Sequence, residues 1–211
     1  MKLPNEITLN IKGKIRILLI SFYKEDTVVD TFIKVFQNSI EKKDRIVGVK
    51  KYSDIKELIN FFEKCTKEYT YNTVLFVSHG KVTGDPTIQE ETFYPDNPVA
   101  EIIQGWAFLS NCFYDALIDK LLILALCHSG KELSLRILSR GHPQALHIVT
   151  PAEGNPLLDA CIGAKAIAYF LNTLINYNIL EHWPEHLRQA EIETVNEYPN
   201  TIKLWLYGED F

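Results

Sequence analysis

The spacing of apolar and polar positions changes period several times along the chain. Residues 14–23 form an unbroken β-branched and aromatic run, which predicts a strand buried on both faces. Over 24–42, Val28, Phe32, Val35 and Ile40 recur at helical spacing, and a shorter strand fits 46–52. Ser53 and Asp54 offer N-cap chemistry for a helix carrying Ile55, Leu58, Phe61, Phe62 and Cys65. Further apolar strands are predicted at 73–78, 120–126 and 145–150. Prolines, glycines and acids mark 80–98 as a loop with a small hairpin, and 99–118 and 131–140 read as helices. Asn155 and Pro156 supply a cap and first helical position for a long helix to Tyr177, with Leu157, Cys161, Ala164, Ala168, Leu171 and Ile175 as its core stripe. A short acidic helix and a closing edge strand at 201–207 complete the series. Six strands interleaved with helices predict one α/β sandwich, a single domain over 1–211.

Composition narrows the function classes. The 211 residues are 46% apolar and 23% charged, as in an ordinary globular domain. A formal charge of -5 argues against a direct nucleic-acid surface, which needs clustered cations to neutralise phosphates. The basic run Lys42, Lys43, Arg45, Lys50 and Lys51 reads as solvated surface that discourages edge pairing. No secretion-type start and no membrane-length apolar stretch is present, so the expected location is cytoplasmic, away from membranes. The four cysteines form no C-x-x-C pair, which signals neither zinc nor a redox couple. Cys65, Cys112 and Cys161 read as small core residues.

Two strands end in chemistry. The run 73–78 is followed by His79-Gly80, and the run 120–126 by Cys127-His128-Ser129-Gly130. In a parallel sheet, reactive groups gather beyond the carboxyl ends of strands. A cysteine attacks as its thiolate, so it needs a histidine or a helix N-terminus nearby. Cys127 is expected to have both, from His79 and from the helix at 131–140. The missing Cβ of Gly80 lets a substrate carbonyl approach the backbone, where the N–H groups of Gly80 and Cys127 can hold an oxyanion. His128 competes as base, but adjacent residues at the start of a turn point apart, and His79 is preferred.

The blocks Val-Ser-His-Gly and Leu-Cys-His-Ser-Gly resemble the two signature segments of the caspase-like cysteine peptidases, in which a histidine precedes the nucleophile by about 50 residues. Here 48 positions separate His79 from Cys127. Cys-His-Ser-Gly is similar to the metacaspase form and to the bacterial CHAT branch. The resemblance spans about 14–177. It implies a caspase-like three-layer sandwich with a mostly parallel six-stranded sheet and helices on both faces. It also implies a cysteine endopeptidase acting on protein or peptide substrates without a cofactor. A regulated bacterial stress, cell-death or defence setting with an activating protein partner is consistent with it.

Metacaspases place an aspartate two residues before the nucleophile to bind a basic side chain, and this chain has Ala125 there. Specificity is therefore not inherited from the motif; Asp85 and Glu153 are the acidic loop residues that could line a pocket with Ala125. The same departure keeps a rival open, a catalytically silent caspase-fold interaction module. A nucleotide- or flavin-binding fold shares the strand and helix rhythm but lacks its glycine motifs. No metal site is expected: His142 and His147 have no ligand partners at regular spacing, and Pro184 spoils the shared face of His182 and His186. Exposure of the closing strand at 201–207 suggests a homodimer.

Overall fold

The computed structural model describes residues 14–23, 26–82, 91–94, 103–104, 117, 120–125, 147–152, 159–177 and 183–206. Strand β1 (Ile17–Phe22) lies inside the sheet with all six residues buried, as its unbroken apolar run requires. Its neighbours are β2 (Ile46–Tyr52) and β3 (Thr73–Val82), both parallel to it. The order continues through β6 (Leu121–Ala125) and β7 (His147–Pro151), also parallel, to β8 (Ile202–Leu206), which is antiparallel. Two short strands, β4 (Glu91–Tyr94) and β5 (Ile103–Gln104), form a small antiparallel extension on the far end of β3.

Alternation along the strands divides the core into two layers. Ile17, Leu19, Leu75, Val77, Leu121, Ile123, Ala125, Val149, Leu204 and Leu206 face one way. They pack against α1 (Thr27–Ser39), α3 (Ala160–Asn176) and α4 (Trp183–Glu197) through Phe32, Phe36, Phe170, Leu171, Leu174 and Leu187. The alternate set, Leu18, Ile20, Phe22, Val74, Phe76, Leu122, Leu124 and Ile148, faces Leu58 of α2 (Ile55–Asn60) and Phe61 and Phe62 of the π-helical turn that follows. Helices thus cover both faces of the sheet.

Local chemistry explains the helix limits. Asp26, Asp54 and Asp159 each accept two backbone N–H groups at the first turns of α1, α2 and α3. α1 starts at Thr27 and ends at Ser39, inside the 24–42 expected, because its end is capped from another helix. Asn172 of α3 donates Nδ2 to the Ser39 carbonyl at 3.0 Å and accepts the Glu41 N–H at 3.0 Å.

Several expectations are corrected. β3 does not stop at Ser78 but runs on to Val82, leaving β1 and β6 to pair with β4. Ile103–Gln104 is a strand, where a helix was expected over 99–118; pairing with β4 overrides local helical spacing. α3 is capped by Asp159, and Asn155 and Pro156 lie outside the described residues. Cys161 consequently sits on the first turn, half-buried, and not in the core; Cys65 is half-buried against the second layer. α4 is a 15-residue helix, and Pro184 lies in its first turn, where proline is tolerated. The helix expected at 131–140, together with Cys112, His128, His142 and His182, lies outside the described residues.

Candidate active site

The topology singles out one crevice. β1 leads outward to β2 on one side, while β3 leads through β4 and β5 to β6 on the other, so the chain's direction across the sheet reverses between β1 and β3. Ligands of open α/β sheets bind beyond the carboxyl ends of strands at such a point. The last register partners of β1 and β3 there are Phe22, which ends β1, and Ser78, after which β3 leaves the main sheet.

Ser78 is a buried hydroxyl at the end of an apolar run. It donates to the Phe22 carbonyl at 2.6 Å and ties the two strands where β3 departs from the main sheet. His79 and Gly80 follow at once, their backbones pairing with Tyr94 and Phe93. The His79 side chain lies outside the described atoms, as do Cys127, Asp85 and Glu153 entirely. Ala125 is the last residue of β6, opposite Val77, and is 1% exposed within the first core layer.

A second polar group closes the ends of β1 and β2. Tyr23 is fully buried, donates its N–H to the Tyr52 carbonyl at 2.9 Å and gives its hydroxyl to the Asp30 carboxylate. Lys51 Nζ lies 3.5 Å from Asp30 and 4.1 Å from the centre of the Tyr23 ring. Burial, with Asp30 beside it, raises the Tyr23 pKa, so the phenol keeps its proton at neutral pH. Ser78 and Tyr23 were not singled out by sequence. The available signal was a polar residue closing an apolar strand, but which strand it would tie to is a tertiary fact.

His147 lies at the opposite end of the sheet, beginning β7 and opposite Leu121. Burial, and secondarily the Arg188 guanidinium, lowers its pKa to about 4. It is a neutral structural histidine, remote from the carboxyl ends. Among the described residues no group of three or more His, Cys, Asp or Glu could hold a metal ion, and no helix is long and apolar enough to cross a membrane.

No family model matches the chain, and no curated protein matches it in sequence. Among solved structures it is similar to a secreted C11 cysteine protease from Bacteroides thetaiotaomicron, determined in complex with an irreversible peptide inhibitor. The TM-score is 0.54 at 9% identity, over 92% of this chain and 66% of that one. At this identity the likeness shows the fold: a caspase-like α/β sandwich with a six-stranded, mostly parallel sheet. The neighbour belongs to neither the metacaspase nor the CHAT branch expected from sequence, and the chain spans just under two-thirds of its length.

Proposed function

We propose that the chain is a cysteine endopeptidase in which Cys127 is the nucleophile and His79 the general base and acid. One observation carries the reading. β3 and β6 pair residue for residue from Thr73↔Leu121 to Val77↔Ala125, a constant offset equal to the 48 positions between His79 and Cys127. The strands that precede His79 and Cys127 in sequence are therefore direct neighbours, in the register that the spacing of the two residues requires. The structural likeness to a C11 cysteine protease supports the same chemistry.

In the proposed reaction His79 takes the Cys127 proton and the thiolate attacks the scissile carbonyl. The backbone N–H groups of Gly80 and Cys127 hold the resulting oxyanion. His79 then gives the proton to the leaving amine, which departs as the C–N bond breaks. Water, deprotonated by His79, hydrolyses the thioester and restores the thiol. Asp85 and Glu153 would favour a basic side chain before the scissile bond, since Ala125 brings no carboxylate. A cytoplasmic, partner-activated role in bacterial stress, cell death or defence fits this reading.

The test is hydrolysis of a fluorogenic peptide library varied at the position before the scissile bond. Wild type should cleave a subset of it, and Cys127→Ala and His79→Ala should each lower kcat/KM by about a thousandfold or more. Cleavage that survives Cys127→Ala would overturn the assignment.

A further inference from the structure

β8 ends the sheet, and among the described residues no strand pairs with it on the side away from β7. Such an edge presents unpaired N–H and C=O groups that template pairing with another chain. In the antiparallel ladder Ala152 donates its N–H to the Thr201 carbonyl at 3.2 Å, and Leu204 stands opposite Val149. Groups facing the partner strand alternate with groups facing away, so Ile202, Leu204 and Leu206 direct their backbone groups outward.

The middle residue of the three is occupied from α4. Leu204 N–H donates to Glu191 Oε1 at 2.7 Å, and the Leu204 carbonyl accepts from Arg188 Nη1 at 3.3 Å. Arg188 Nη1 also donates to Glu191 Oε2 at 2.7 Å, which locks the two side chains together. Glu191 is only 8% exposed, a depth at which a carboxylate needs partners of this kind.

We propose that Arg188 and Glu191 form a latch that closes the β8 edge against strand pairing with a second copy of this chain. An intermolecular ladder needs successive outward groups. With Leu204 taken, the remaining pair, Ile202 and Leu206, stand about 13 Å apart along the strand. The homodimer that sequence suggests through this strand then forms only when the latch is open. The inference is independent of the peptidase reading, because it concerns the opposite edge of the sheet from β2 and no residue of the proposed dyad.

Amide hydrogen exchange and sedimentation velocity test it. In wild type the Leu204 amide should exchange as slowly as those of Lys203 and Trp205, and the chain should sediment as a monomer. Glu191→Ala should speed Leu204 exchange by about tenfold or more while sparing Lys203 and Trp205. Arg188→Ala/Glu191→Ala should self-associate with rising concentration, whereas Glu191→Gln, which keeps the accepting oxygen, should remain monomeric. A wild-type chain that already self-associates, or a folded double variant that stays monomeric, overturns the proposal. If the double variant fails to fold, a Leu204 amide that exchanges freely in wild type overturns it equally.

Discussion

Ser78 donates its hydroxyl to the carbonyl of Phe22 at 2.6 Å, across the two strands whose ends bound the candidate site. Immediately after Ser78 the chain stops pairing with β1 and begins pairing with β4, so this bond fixes the point from which His79 departs. Ser78→Ala removes a buried donor, and we expect it to cost about 1–2 kcal/mol of stability in denaturant unfolding. On the peptidase reading it should also lower kcat by about tenfold with little change in KM, because a misplaced base slows chemistry more than binding.

His147 ties stability to pH. Its pKa is about 4 in the fold against the ordinary histidine value of 6.5, so between those limits the unfolded chain binds a proton that the folded chain does not. Stability from this residue should be level above about pH 6.5, fall as pH drops towards 4, and level off below that. The full change is about 3 kcal/mol. Urea unfolding of wild type and His147→Gln at pH 7.5, 6 and 5 checks it: the variant should lose most of the slope across this window. An unchanged slope would mean that His147 titrates normally in the fold.

What could be read from sequence follows from how locally each feature is determined. β1 and β6 are legible because an apolar run bounded by polar residues carries its own signal. The extension of β3 past Ser78 is not, since His79 to Val82 become strand only by pairing with the distant β4. Asn155-Pro156 and Asp159 are comparable caps in isolation, and the choice of Asp159 is visible only in the folded backbone. At the site, the spacing of His79 and Cys127 was legible as a motif. The Ser78 tie and the Tyr23, Asp30 and Lys51 group were not, because each joins separate elements. The same holds for Arg188 and Glu191, which in sequence are an ordinary solvated helical pair.

The aspartate caps belong to three separate helices, and their effects should be independent. Asp26→Ala, Asp54→Ala and Asp159→Ala each free two first-turn N–H groups and should each cost about 1 kcal/mol. Combined substitutions should add, since each aspartate caps a different helix. Asp159→Asn, which keeps an acceptor, should recover most of its share. Equilibrium unfolding of the single and triple variants reads this directly.

The most direct test of the central claim is to treat the protein with peptide acyloxymethyl ketones and locate the adduct by mass spectrometry. The peptidase reading predicts modification at Cys127, with Cys65 and Cys161 untouched, and its loss in His79→Ala. A Cys127 that stays unmodified by every probe, or one that reacts equally well without His79, would contradict the proposed dyad.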